Sequence, residues 1–167
     1  MPLFDQRRLE PSDAAEVLAL HVAVASMPDS GLARAPDEMQ LAYFADLLAD
    51  PSAQAFGAFA EGRLIGEIHA SRMKGRQFSH VMTDLTVAVA PEFQGRGVGI
   101  ALFERLFAES RQLEPAVTRI ELISRSGNAG AIRLYQRLGF AVEGCFRGRV
   151  RLPNGEVEDD IPMAKVL

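Results

Sequence analysis

The chain has 167 residues, 48% of them hydrophobic, a formal net charge of −4 and one cysteine, Cys145. This length fits a single domain, 1–167, with a sizeable core, and the acidic balance disfavours a nucleic-acid binder that needs a broad basic face. One cysteine excludes an intramolecular disulfide and any multi-cysteine zinc site, and no run approaches the roughly 18 apolar residues of a membrane span. The first residues also lack the apolar core of a signal peptide. A protein of a reducing, cytoplasmic compartment is therefore expected, acting on small molecules or peptide ends without a metal.

Leu3 to Leu9 reads as a first strand, followed by the helix-start signal Pro11-Ser12-Asp13. Val17, Leu20, His21 and Val24 then fall at i, i+3, i+4 and i+7, one buried helical stripe that ends near Met27-Pro28. Pro36-Asp37-Glu38 opens a second helix with Leu41, Phe44 and Leu48 on one face, stopped by Asp50-Pro51. Gln54 to Ala60 and Arg63 to Met73 form a hairpin about Glu61-Gly62, and Phe78 to Val89 is the next strand.

A long helix follows with Val98, Leu102, Phe103, Leu106 and Phe107 on its apolar face, ending before Pro115. Thr118 to Ile123 is a fifth strand, reached from the fourth by a parallel crossover. Asn128 caps a short helix, Ala129 to Leu138, closed by Gly139. Val142 to Arg151 and Glu156 to Val166 make a closing hairpin about Pro153-Asn154-Gly155. If Asn154-Gly155 is a two-residue turn, Arg151 pairs with Glu158 and Arg149 with Asp160. Cys145 is read as a packing residue in an apolar strand.

The stretch between the fourth strand and the long helix carries the chemistry. Gly95, Gly97 and Gly99 let the main chain approach a ligand, and the helix start behind them offers unpaired N–H groups to an anion such as a diphosphate. An NTPase loop needs Gly-Lys-Ser/Thr, which occurs nowhere. A dinucleotide fingerprint needs a glycine where Ile100 stands. What remains is Gln94-x-x-Gly97-x-Gly99, which resembles the acyl-CoA pyrophosphate loop of the GNAT superfamily of N-acetyltransferases. Asn128 to Phe140 resembles the second motif of that family, Asn-x-x-Ala-x-x-x-Tyr-x-x-x-Gly-Phe, with Tyr135 as its tyrosine.

The order β, α, α, three antiparallel strands, α, β, α, β, β also resembles the GNAT fold. That likeness implies an α/β (α+β) domain whose mixed, twisted sheet has about six to seven strands and about four flanking helices. It further implies acetyl-CoA as cosubstrate, bound by main chain at Val87, Ala88 and Val89, by the loop Gln94, Gly95, Arg96, Gly97, Val98, Gly99 and Ile100, and by Asn128 and Tyr135. The acceptor would be a primary amine of a small molecule, a free amino acid or a peptide N-terminus, attacking directly in a ternary complex. Within the family, the tail from Tyr135 through Gly144 with the closing hairpin resembles amino-acid and protein N-terminal acetyltransferases. A module of the same fold that binds acyl-CoA without catalysis is the alternative, and exposed strand edges make a homodimer plausible.

Two protons must move. In the family the tyrosine lies near the CoA sulfur as general acid, a role the resemblance assigns to Tyr135; ordinary core packing and a plain helix cap are the structural alternatives for Tyr135 and Asn128. The amine must lose a proton. Asp84 stands where many relatives have a glutamate and ranks first as general base. His80, four residues earlier in the same strand, ranks second, and Glu67 third. His21 and His69 are read as structural.

Overall fold

Glu61 (φ 50°) and Gly62 (φ 80°) both adopt left-handed backbone, the two-residue turn whose twist matches its flanking strands. They join β2 (Ala53–Ala60) to β3 (Arg63–Arg72) as the dipeptide predicts. The computed structural model describes residues 4–167; Leu3, expected in the first strand, lies outside them. β1 (Asp5–Arg8) pairs antiparallel with β2. Asp13 then starts the chain into α1 (Ala14–Ala25): its Oδ2 accepts the Glu10 N–H at 2.8 Å, and its two oxygens accept from the Arg7 guanidinium at 2.7 and 2.8 Å.

The expected stripe of α1, Val17, Leu20, His21 and Val24, is buried. Pro36–Glu38 forms only a 3-10 turn, because Met39 and Gln40 return to extended backbone, and α2 (Leu41–Ala49) begins after them. Phe44 is buried there, whereas Leu41, expected on the same apolar face, is exposed. Phe78 likewise belongs to a 3-10 turn, so β4 runs Val81–Val89.

α3 (Val98–Arg111) buries the five apolar residues that its periodicity picks out. It lies hard against β3: a Cβ on Gly66 would stand 2.7 Å from Val98 Cγ1 and 3.1 Å from Leu102 Cδ1. β5 (Arg119–Arg125), α4 (Ala129–Arg137), β6 (Ala141–Val142), β7 (Phe146–Arg151) and β8 (Val157–Val166) complete the chain. One mixed sheet runs β1-β2-β3-β4-β5-β8-β6, with β7 also on β8. Its face under α3 and α4 packs Phe56, Ile68, Met82, Phe103 and Ile120, and its face under α1 and α2 packs Leu9, Val17, Leu20, Phe44 and Ala88.

Eight strands exceed the expected six to seven because the stretch from Val142 to Arg151 is not continuous. It breaks between Val142 and Phe146, which leaves Cys145 exposed with its sulfur 3.5 Å from an Asp159 carboxylate oxygen. Cys145 is thus not a packing residue. The closing hairpin also differs in register. Leu152 N–H donates to Glu156 C=O at 2.8 Å, enclosing three residues, with Gly155 at φ 88°. The extra residue slides the ladder by one, so Val150 faces Glu158 and Arg151 faces Val157. Glu158 pairs instead with Arg125 at 3.2 Å, while Arg149 stays 3.7 Å from Asp160. Among the described residues no helix is long and apolar enough to cross a membrane.

Candidate active site

Two parallel strands part company at the centre of the sheet. β4 and β5 are in register only at Val81 with Arg119 and Met82 with Ile120, and beyond those pairs they separate. On its other side β4 stays bonded to β3, with a bulge between the pairs His69–Thr86 and Ser71–Thr83. Asp84 sits in that bulge at φ 53°, a left-handed conformation that aspartate tolerates better than most side chains.

The alternation of an antiparallel ladder decides which β4 groups face the gap. Ala90 N–H donates to Ile65 C=O at 2.9 Å, so the bonded pairs continue at Glu67 with Ala88 and His69 with Thr86. The peptide groups of Val87 and Val89 therefore turn away from β3 toward the space that β5 vacates. Ala88, expected beside them, directs its backbone to Glu67.

The glycine loop lies at the end of β4. Gly95 (φ 72°) and Gly97 (φ 84°) need glycine for their backbone, and a Cβ on either would meet nothing within 4 Å, so both border open space. Gly97 is the residue before α3, and no side chain caps that helix, which leaves the N–H groups of its first turn unpaired. Gln94 braces the loop: its side-chain amide donates to Val89 C=O at 3.0 Å. Arg96 stacks over Phe93 at 5.5 Å, and Ile100 is partly exposed on the first turn.

On the same side of the sheet, Asn128 caps α4 as expected, its Oδ1 accepting the Ala131 N–H at 3.3 Å. Tyr135, two turns on, packs edge-on against Phe103 and Phe140, with ring centroids 5.7 and 6.1 Å away. Burial raises its phenol above the ordinary range, so the hydroxyl keeps its proton at neutral pH. No hydrogen bond engages that hydroxyl among the described residues.

A cavity of about 1010 Å³ opens on the opposite face, under α1 and α2, and reaches the parted strands at Thr86 and Leu122. Asp84 lines it, exposed and without a hydrogen-bond partner among the described residues. His80 does not line it; this exposed residue precedes β4, and its carbonyl binds the Thr118 and Arg119 N–H groups. Five carboxylates line the wall, Asp46, Asp50, Asp84, Glu121 and Glu143, against the guanidinium groups of Arg34 and Arg119. Glu121 and Glu143 both hold Arg119, which raises its pKa further. Arg34 lies 3.9 Å over the Tyr43 ring and has no carboxylate partner among the described residues.

Beside the cavity Glu67 is fully buried between two imidazoles. His21 Nε2 stands 2.7 Å from its Oε2 and His69 Nδ1 stands 2.9 Å from its Oε1. Burial by itself pushes this carboxyl up, but the charge and hydrogen bonds of His69 and His21 outweigh it and hold the group down at about 2. An ionised carboxylate only accepts, so each imidazole donates one N–H to it, His21 through Nε2 and His69 through Nδ1, and only the neutral form of either ring carries a lone pair on the other nitrogen. These are also the only three metal-capable side chains that cluster among the described residues, and they bond to one another here. The sequence reads both histidines as structural, and the buried hydrogen bonds show what they are bonded to. The signal was present: Glu67 and His69 share a strand face, and a polar His21 on an apolar stripe requires a buried partner.

Residues 20–140 match the model of the acetyltransferase (GNAT) family. The chain belongs to that family. As a GNAT N-acetyltransferase it has curated relatives that include the L-amino acid N-acetyltransferase AaaT of Escherichia coli (strain K12), 33% identical over 120 residues, which cover 71% of this chain and 72% of that protein. The ribosomal protein bS18-alanine N-acetyltransferase of the same strain is 38% identical over 82 residues, 49% of this chain and 53% of that protein. The chain thus spans about half the length of that relative. The GNAT fold is further shown by a phosphinothricin acetyltransferase from Sinorhizobium meliloti, solved in complex with AcCoA. It is 18% identical, with a TM-score of 0.83 over 99% of this chain and 89% of that one.

Proposed function

We propose that this GNAT enzyme acetylates a primary amine, on a free amino acid, a small amine or a peptide N-terminus, with acetyl-CoA as donor. The observation that carries the reading is the gap between β4 and β5. It connects an uncapped, glycine-lined helix start on one side of the sheet with an acidic cavity on the other.

The residues fit the donor. Gly95 and Gly97 face open space, the first turn of α3 offers unpaired N–H groups to a diphosphate, and Val87 and Val89 turn peptide groups to the gap. Acetyl-CoA supplies an acetyl group activated as a thioester. The Val87 N–H is the donor best placed for oxygen charge that develops on the acyl group. Tyr135 holds its proton on the α3–α4 side, where it protonates the departing sulfur.

The acidic wall suits an acceptor that arrives as an ammonium ion, with Asp84 on its bulge as an electrostatic partner. The nitrogen–acetyl bond then forms as the carbon–sulfur bond breaks. The chain's single thiol, Cys145, is exposed and does not line the cavity, in keeping with direct transfer rather than a thiol-bound acetyl group. The decisive experiment incubates the protein and acetyl-CoA with the protein amino acids, with polyamines and with an alanine-terminated peptide, and weighs the products. Tight acetyl-CoA binding with no acetylated product would leave a binding module of the same fold in its place.

A further inference from the structure

Glu67 and its two imidazoles sit between the core and the acceptor cavity, and their arrangement is directional. Both histidines line the cavity while Glu67 does not. His69 uses Nδ1 on the carboxylate, so in the neutral ring the lone pair falls on Nε2, which has no hydrogen-bond partner among the described residues. β3 pairs His69 with Thr86, one residue before the Val87 peptide that turns toward the parted strands. His21 comes from α1 with the Phe44 ring 4.8 Å from its own, and its ring stacks on that of His69 at 5.9 Å.

We propose that His69 is the general base of the acetyl transfer, with Glu67 and His21 as its positioning residues. This rests on the function proposed above. The acceptor ammonium gives one proton to His69 Nε2 and keeps the electron pair with which nitrogen attacks the acetyl carbon; its second proton leaves as the amide forms and makes good the one that Tyr135 gives to sulfur. The imidazolium so formed lies against the Glu67 carboxylate, which is already ionised, and its proton returns to solvent through the cavity as product leaves. The second bond from His21 holds the carboxylate in place and leaves it no freedom to rotate away.

Asp84 is less suited to this step. It is exposed, no hydrogen bond orients it among the described residues, and imidazole is the side chain whose proton exchange is matched to neutral pH. The charged groups that face His69 across the cavity are Asp46 on α2 and Asp50 just after it, Asp84 on β4, Arg34 before α2, and the Arg119–Glu121 pair on β5 with Glu143.

The test is His69→Asn, which keeps an N–H donor where Nδ1 stands and deletes the group at Nε2. With an acceptor found in the product screen, kcat falls about a hundredfold, while acetyl-CoA affinity by calorimetry stays within twofold. The pH profile carries the distinction from a structural role. The wild-type kcat levels off above the range in which imidazole loses its proton, whereas the variant keeps rising about tenfold per pH unit because only free amine reacts. Glu67→Gln, which forces one imidazole into the other tautomer, shows the same loss in kcat with little change in KM.

Should either variant fail to fold, nitrogen-correlated NMR of the intact wild type decides. His69 protonated on Nδ1 with a bare Nε2 supports the assignment, and protonation on Nε2 overturns it. A wild type that turns over and a His69→Asn variant that matches it in rate and pH profile overturn the base alone. A wild type that binds acetyl-CoA and acetylates nothing overturns the function and the base together. One zinc ion per purified chain, lost in His69→Asn, replaces the proton relay by a metal centre.

Discussion

The Tyr135 ring meets the Phe103 ring nearly edge to face, 5.7 Å between centroids and 62° between planes. This contact ties α4 to α3, so the proposed proton donor is fixed relative to the helix whose first turn is proposed to hold the diphosphate. Tyr135→Phe keeps the contact and removes only the hydroxyl. Turnover should fall at least tenfold with the acetyl-CoA dissociation constant within twofold; an unchanged kcat would remove Tyr135 from the acid role.

Gly97→Ala separates backbone strain from ligand contact. A left-handed alanine costs about 1–2 kcal/mol, but the added methyl meets nothing within 4 Å in the free protein. Melting should therefore drop by only a few degrees, about what that cost implies for a chain of this size. Acetyl-CoA binding should weaken more than tenfold, because the methyl points into the space proposed above for the diphosphate. Calorimetry that finds wild-type affinity would move the donor away from this loop.

Gly66→Ala acts on stability instead. Its Cβ would press on Val98 Cγ1 at 2.7 Å, so α3 must lift from β3, at about 1–3 kcal/mol. Urea unfolding should show that loss with an unchanged slope. A stability equal to wild type would mean that Val98 and Leu102 re-pack without strain.

Asp13 makes the fold acid-sensitive. Hydrogen bonds from the Arg7 guanidinium, against the opposing effect of burial and with help from the Glu10 N–H, lower its pKa. A carboxyl lowered on folding contributes its stability in full above its unfolded value, near ~3.9, and loses it as pH falls through the folded value. Glu67, held at about 2, acts in the same sense over a wider acid range. Asp13→Asn should flatten the decline in unfolding free energy below about pH 4, read from denaturant melts at successive pH values; parallel curves would assign the acid loss elsewhere.

Arg34 stands where it would meet the carboxylate of an amino-acid acceptor. It faces the cavity that five carboxylates also line and, among the described residues, is held only by the Tyr43 ring. Arg34→Gln should raise KM about tenfold for a free amino acid, whose carboxylate it can bind, and leave an amine without a carboxylate unaffected. Equal changes for both would deny it that role.

Local rules carried much of the molecule. The periodicity of Val98 to Phe107, the Glu61-Gly62 turn and the Asn128 cap depend on neighbours within a turn or two, and each stands where the residues predicted it. The closing hairpin failed on one residue, since Asn154-Gly155 suits a two-residue turn as well as the three-residue loop that formed, and a single step exchanges every cross-strand partner. Cys145 departs from its expected place for a different reason: Glu143-Gly144 interrupts the strand just before it, a break that glycine favours.

The sequence by itself determined the donor side, because glycine backbone and a helix start are properties of a short contiguous segment. Tertiary structure alone decided the buried cluster proposed to serve the acceptor. His21 and Glu67 are 46 residues apart and meet only when α1 docks on β3. Burial then makes their hydrogen bonds obligatory, since an unpaired carboxylate in that position would be too costly to keep ionised. The same docking leaves His69 on the cavity wall with its Nδ1 on Glu67, and no spacing along the chain encodes that.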